Sequence, residues 1–315
     1  MKKLLLLVVL LMSLTACKHE QEVQLQEVTL EVSLPESDSI KGDSQEVKNV
    51  MADIRHVIAQ RLEIEEKDIL EIEGDANHLT VNLPMPIDTA RVNRLLSQRG
   101  EFGFWETCRS DKIAGQIEEG RKQMKEGDKL HRLLQLSSND LCILGYAQEK
   151  DTAEVNRLLQ SAEIQKRLSP DLKLCWGAQK EEFWGNTIPN NEDLANDTEP
   201  AVFGLFCVRG TSAAITGDKI TEAKDEMDSF NHSPIVILKM NEEGAKQFTD
   251  FTKKNIGQQV AIVIDGQVYS TPMVQMEITG GNASIAGQFT PEQTKELALI
   301  LSSGILKGTA KIATK

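Results

Sequence analysis

Apolar side chains recur with two different periods between residues 24 and 107. Where every second residue is apolar, the pattern is typical of a half-buried strand, and a spacing of three and four residues predicts an amphipathic helix. The predicted elements are a strand at 27–34, a helix over 45–63, strands at 68–72 and 78–83, a helix that Asp88 caps and a strand at 101–106. Their β-α-β-β-α-β order is the ferredoxin-like arrangement. We therefore predict an α+β, ferredoxin-like domain over residues 24–107.

The pattern changes between residues 108 and 200. Residues 113–136 and 153–168 are rich in charge and have a helical period, whereas 172–176 is short enough for a strand. Residues 186–200 are rich in Asn, Asp, Glu and Pro, which is typical of a loop. We predict a largely helical insertion over 108–200.

Regular alternation returns in the last third of the chain. The predicted strands are 201–208, 234–240, 259–264, 267–270 and 283–286. Asp265 and Gly266 form the dipeptide that two-residue hairpin turns favour, and Asn241 is placed to cap a helix. A second helix is predicted after Thr290, where residues 290–293 form a capping box with proline at the first helical position. Residues 201–315 are thus predicted to form a second α+β region.

The first residues have the layout of an export signal. Two lysines precede a nine-residue apolar run, 4–12, which is too short to cross a bilayer because about 20 residues are needed. The run leads to Leu14-Thr15-Ala16-Cys17, which resembles the lipobox of bacterial lipoproteins. This resemblance implies that Cys17 takes a diacylglyceryl group and that cleavage falls just before it.

We therefore expect residues 1–17 to be a lipoprotein signal peptide and 18–26 to be a tether, with a membrane contact made through the lipid anchor. The alternative is an ordinary cleaved signal that leaves an unused cysteine. Lys18 stands where many lipoproteins of the inner membrane carry Asp, so the sequence favours the outer membrane. The expected location is the cell envelope, facing the periplasm.

The composition narrows the possible partners. The formal net charge is −13, and an acidic chain argues against nucleic acid, whose binding depends on basic patches. Of the five cysteines, Cys17 is assigned to lipid. Cys108, Cys142, Cys175 and Cys207 permit disulfides in an oxidising compartment, with three possible pairings, or they are four separate buried thiols.

No catalytic motif is found in the sequence. The histidines lack metal-ligand spacing, and they are His19, His56, His78, His131 and His232. Asp265 is explained by its hairpin turn, and Trp105 by packing in a core or between domains rather than by stacking on a ligand. We predict a protein that is not an enzyme and has no metal or cofactor site, and a hydrolase is the remote alternative.

Residues 238–255 and 259–272, with 278–281 and 285–290, resemble the periplasmic part of SecD, a subunit of the SecDF protein-export complex. The specific resemblance covers about residues 201–306, within the region 201–315, and a weaker one covers 24–107. The first periplasmic (P1-type) domain of that family has a base, here 24–107, and a mobile head, to which the insertion 108–200 would belong. The resemblance implies an apolar cleft and a hinge that hold unfolded or newly exported polypeptides.

The family's membrane helices have no counterpart in the sequence, so we expect a protein without the proton-driven motor. Its expected role is accessory to Sec-dependent translocation, and its partners would include Sec translocon subunits. The alternative is an envelope adaptor or structural protein that reuses the fold, because a fold does not determine a function.

Overall fold

The computed structural model describes residues 28–33, 44–69, 71–74, 78–83, 88–137, 142–181 and 201–312. The predicted signal peptide with Cys17, the tether at 18–26 and the loop at 186–200 lie outside the described residues.

The described chain alternates between strands and helices. The strands are Val28–Ser33 (β1), Glu71–Gly74 (β2), His78–Leu83 (β3), Phe102–Thr107 (β4), Gln135–Leu136 (β5), Ile143–Gln148 (β6), Leu172–Trp176 (β7), Val202–Arg209 (β8), Ile215–Thr216 (β9), Ile220–Met227 (β10), Pro234–Met240 (β11), Val260–Ile264 (β12), Gln267–Ser270 (β13), Asn282–Ala286 (β14) and Thr309–Ile312 (β15). The helices are Ser44–Leu62 (α1), Thr89–Leu96 (α2), Ser110–Arg121 (α3), Gly127–Leu133 (α4), Thr152–Leu159 (α5), Ala162–Gln165 (α6), Glu242–Lys254 (α7) and Pro291–Ser302 (α8). The predicted α+β class is confirmed.

The first sheet has the strand order β15-β1-β3-β2, and its neighbours are antiparallel. Helices α1 and α2 bury Ile54, Ile58 and Leu95 against it. The β-α-β-β-α-β order is present, but β4 does not join this sheet as a ferredoxin-like domain over 24–107 requires. Strand β15 takes its place beside β1.

Strand β4 pairs with β12 in an eight-stranded sheet, where Phe104 lies opposite Ile262. The reason is packing: Phe102 and Phe104 are buried in a cluster with Phe248 and Phe251 of α7. The rings of Phe104 and Phe248 are 5.0 Å apart, within the range of favourable aromatic pairs.

The third sheet has the order β10-β11-β14 and packs on the same cluster through Val236 and Leu238. Helix α8 lies between two cores. Its Leu297 and Leu301 pack in this cluster, whereas its Ile300 packs with α1 and α2.

The insertion contains helices α3 to α6, as predicted, and the predicted strand β7. It also supplies β5 and β6 to the eight-stranded sheet. Strand β6 was missed because Leu144, Gly145 and Ala147 are buried with no regular alternation, and period-2 patterning detects strands with one polar face. Where the chain divides into domains stays a prediction.

The helix caps and the hairpin turn that were predicted in the last third of the chain are confirmed. The Asn241 side chain accepts a hydrogen bond from the Gly244 N–H, and Thr290 forms the capping box with Gln293. Asp265 and Gly266 have φ values of 50° and 77°, as the hairpin turn requires.

Candidate polypeptide-binding surface

A few large apolar side chains are exposed in the described part of the chain. They are Met227, Phe230, Ile256, Met273, Met276, Ile278 and Ile305. Four of them lie close together in sequence, between residues 256 and 278, and Met276 is 68% exposed. We call Ile256, Met273, Met276 and Ile278 the methionine patch.

The backbone that carries the methionine patch is fixed against the end of α7. The Gly257 N–H donates to the Val274 carbonyl at 2.8 Å, and the Val274 N–H donates to the Gln258 carbonyl at 2.9 Å. Further along, the Ile278 N–H donates to Oγ1 of Thr252 at 3.0 Å. Residues 273–278 therefore run along the C-terminal half of α7, antiparallel to the chain that leaves it.

The patch residues lie beside a filled core. Val274 is buried with Phe248 and Phe251 of α7, whereas Met273, Met276 and Ile278 of the same segment are exposed. Methionine side chains are flexible and polarizable, and they adapt to partners of different shape. The patch can thus accept apolar side chains without a fixed sequence.

Charged residues flank the patch. Lys253 lies 3.8 Å from Glu277, and Lys254 pairs with Glu106 at 2.5 Å. An apolar centre with a polar rim is the usual anatomy of a binding surface.

A second exposed apolar side chain, Phe230, lies at the tip of the β10–β11 hairpin and is 95% exposed. Oδ1 of Asp228 accepts hydrogen bonds from the N–H groups of Phe230 at 2.8 Å and Asn231 at 3.0 Å. These backbone donors lower the pKa of the Asp228 carboxyl. The tip is therefore ordered and presents a single aromatic ring to solvent.

The ferredoxin-like sheet and the rest of the described chain are joined through two adjacent segments, residues 97–101 and 303–308. The Leu306 N–H donates to the Arg99 carbonyl at 2.8 Å. Asp265 accepts from the N–H groups of Gly100 at 3.1 Å and Glu101 at 2.8 Å. Two connecting segments that lie side by side are compatible with the predicted hinge. The hinge motion itself stays a prediction.

Arg61 holds both segments from the side of α1. It donates to the carbonyls of Arg99 at 2.7 Å and Gly304 at 3.0 Å, and to those of Leu95 and Gln98. Burial lowers the pKa of Arg61 to about 10, and nearby Asp265 opposes that shift.

The residues singled out from the sequence are dispersed. Nδ1 of His56 lies within hydrogen-bond distance of Oε1 of Glu66, at 2.8 Å, on an exposed surface. His232 lies in the tip of the β10–β11 hairpin and has a positive φ. Trp105 is partly buried against the cluster that contains Val208, and Nζ of Lys173 lies 4.3 Å from the centroid of its ring. Among the described residues, no group of three or more His, Cys, Asp or Glu is placed to hold a metal.

The four remaining cysteines, Cys108, Cys142, Cys175 and Cys207, are present as free thiols.

The sequence alone did not reveal the methionine patch or the buried position of Arg61. The signal for the patch was three apolar residues, Met273, Met276 and Ile278, in a stretch that lacks any strand or helix period.

Both exposed apolar features lie within residues 195–308, and that range matches the family model described as SecDF, P1 head subdomain. The chain is SecD-like over residues 195–308, the part that matches the P1 head subdomain. The match to the P1 head subdomain ends at residue 308, the last residue of the segment 303–308. The assignment of residues 108–200 to the head stays a prediction.

This SecD-like chain is similar to several curated proteins. It is 34% identical over 170 residues to protein translocase subunit SecD of Rhodothermus marinus, with 54% of this chain and 25% of that protein covered. It is 44% identical over 98 residues to SecD of Dictyoglomus turgidum, with 31% and 24% covered. It is 42% identical over 99 residues to protein translocase subunit SecDF of Thermus thermophilus, with 31% and 13% covered. The matched part therefore spans a quarter or less of the length of these relatives.

A solved chain from "Structure and function of a membrane component SecDF that enhances protein export" is 22% identical to the SecD-like chain, with a TM-score of 0.48. The match covers 92% of this chain and 99% of that one.

Within the described residues, none of the helices combines the length and the apolar character that crossing a bilayer requires.

Proposed function

We propose that this SecD-like chain binds unfolded or newly exported polypeptides at the methionine patch, as an accessory to Sec-dependent translocation in the periplasm. The observation that carries the proposal is the exposure of Ile256, Met273, Met276 and Ile278 inside the region that matches the P1 head subdomain. The names of the relatives, which are protein translocase subunits, support the export context and contact with Sec translocon subunits.

The size of the patch suits weak, reversible binding. Four apolar side chains form an interface far below the ~1,200 Å² that stable complexes bury. A polypeptide that is passing through must be released, so low affinity is compatible with the role. Because nothing at the patch selects a sequence, many clients can share it.

Attachment to a membrane through lipid on Cys17 belongs to the same proposal, with the outer membrane favoured. A Cys17→Ser variant should lose incorporation of labelled fatty acid and leave the membrane fraction. Retention of label by this variant would exclude Cys17 as the lipidated residue.

We also infer a role without catalysis, since binding at this surface needs no reacting group.

The binding proposal is tested with a fluorescently labelled, unfolded peptide that contains apolar residues. The double variant Met273→Ser, Met276→Ser should bind it at least fivefold more weakly than the wild type in an anisotropy titration. The matched control is Met227→Ser, a methionine that is 54% exposed on β10 and should leave binding unchanged. Equal binding by the double variant and the wild type, at equal melting temperature, would exclude the methionine patch.

The alternative role, an adaptor that docks on a folded envelope partner, is favoured by one observation. Phe230 is an ordered aromatic side chain at a hairpin tip, and such anchors often dominate folded interfaces. If Phe230→Ala abolishes co-purification of one stable partner while peptide binding persists, the adaptor role gains support.

A further inference from the structure

Cys207 in β8 contacts two other cysteines through its backbone. Its carbonyl accepts a hydrogen bond from the Cys108 N–H at 3.0 Å, and its own N–H donates to the Cys142 carbonyl at 3.1 Å. The chain that continues from β4 and the chain that leads into β6 therefore meet the same edge of β8 at Cys207.

The fourth cysteine, Cys175, lies on the other edge of β8. Phe206 pairs with Ile143 of β6 and with Cys175 of β7, so β6 and β7 flank β8 on opposite sides. Two strand spacings, about 10 Å in total, separate Cys175 from Cys142. Disulfides need Cα atoms within about 7 Å, so these two thiols cannot join.

Cys108 and Cys207 share one face of the sheet. Both belong to the cluster that contains Leu144 and Leu205, where they are 4% and 0% exposed. Cys142 instead packs with Phe206 and Val208. This separation distinguishes Cys108 from Cys142 as the partner of Cys207.

Cys108 and Cys207 are also the next two positions in the register of β4 and β8, and the Cys108 N–H donates to the Cys207 carbonyl. Thr107 pairs with Val208 in the antiparallel register, so the next position places Cys108 opposite Cys207. Directly opposed residues have Cα atoms about 4.5–5.5 Å apart, within the range of about 4.4–6.8 Å found in disulfides.

We propose that Cys108 and Cys207 form a disulfide that links β4 to β8, while Cys142 and Cys175 remain thiols. The proposal rests in part on the proposed export, because disulfides persist in oxidising compartments. Two S–H bonds break and one S–S bond forms. The two electrons and two protons pass to a disulfide oxidant, such as oxidised glutathione, whose S–S bond breaks to give two thiols.

The bond must form during folding rather than afterwards. Both thiols are buried in the folded protein, and burial raises the pKa of each. The thiolate is the reacting species, so it is scarce once β4 has packed on β8. The folded, reduced protein should therefore resist oxidation, whereas a refolding chain should not.

The test uses the chain with Cys17→Ser, which removes the fifth thiol. The reduced, denatured protein is refolded in a glutathione redox buffer, alkylated, digested without reduction and analysed by mass spectrometry. We expect one linked peptide pair that contains Cys108 and Cys207, with Cys142 and Cys175 alkylated. Alkylation of all four cysteines, or a link from Cys207 to Cys142, would overturn the proposal.

Matched variants separate the disulfide from general effects on folding. The double variant Cys142→Ser, Cys175→Ser should keep the link, and reductant should lower its melting temperature by several degrees, as in the wild type. Cys108→Ser should lose both the link and the effect of reductant. This assay requires no polypeptide client, so its failure would leave the binding proposal untouched.

Discussion

Nε of Arg61 donates a hydrogen bond of 3.0 Å to the hydroxyl of Ser303, although 242 positions separate the two residues in the chain. Arg61 is in the last turn of α1 and Ser303 follows α8. The Arg61 side chain is fully buried. Among the described residues, it donates to the Ser303 hydroxyl and to backbone carbonyls near the ends of α2 and α8. The negative ends of these helix dipoles stabilise its charge.

Replacing Arg61 with methionine should lower the free energy of unfolding by about 3–5 kcal/mol, because it leaves several buried carbonyls without a donor. Urea unfolding monitored by circular dichroism measures the change. The matched control is Arg91→Met, which removes a partly exposed pair with Glu63 and should cost less than about 1 kcal/mol. Similar losses in the two variants would contradict the structural role of Arg61.

Asp265 should matter for its carboxylate as well as for its turn. In Asp265→Ala, the loss of the acceptor for Gly100 and Glu101 and the positive φ of 50° should together cost about 2–3 kcal/mol. Asp265→Asn keeps one acceptor oxygen and tolerates this φ, so its expected loss is below about 1 kcal/mol. If asparagine were as costly as alanine, the charge itself would be the important feature.

Tyr269 should make the protein sensitive to alkali. Burial, with a smaller contribution from Asp265, raises the pKa of the Tyr269 phenol from 10.0 to about 12. Above pH 10 the unfolded chain loses this proton while the folded chain keeps it, so stability falls as pH rises from about 10 to 12. The loss from this group should approach about 2 kcal/mol.

Urea unfolding at pH 8 and pH 11 compares the wild type with Tyr269→Phe. The wild type should lose more stability between these two pH values than the variant does, since phenylalanine cannot ionise. An equal loss in both proteins would assign the alkaline sensitivity to other groups, such as the buried thiols.

Two adjacent glycines provide a matched pair for the packing of α7 on the loop before β14. Gly280 and Gly281 have φ values of 87° and 66°, so alanine at either position costs about 1 kcal/mol of backbone strain. A Cβ at Gly281 would also lie 2.6 Å from Cβ of Ala245, whereas one at Gly280 meets only the Asn282 side chain at 3.9 Å. Gly281→Ala should therefore lower the melting temperature more than Gly280→Ala, and the reverse order would contradict this packing.

Much of the secondary structure was predictable because its signals are local. Asn241 and Thr290 cap helices through bonds to residues three positions away, and the strand at Pro234–Met240 has the predicted bounds. The candidate site was less predictable. Met273, Met276 and Ile278 occur in a stretch with no period, and only the folded chain shows them exposed beside Val274, which is buried with Phe248 and Phe251.

The sequence by itself determined the α+β class, the order of most elements and the helix caps, since these depend on hydrogen bonds and periods within a few residues. Only the tertiary structure decided that β4 leaves the first sheet and that β15 completes it, because strand pairing depends on which distant segments bury apolar surface together. For the same reason only the folded chain shows Arg61 as a buried cation, since its acceptors among the described residues come from segments that are far apart in sequence.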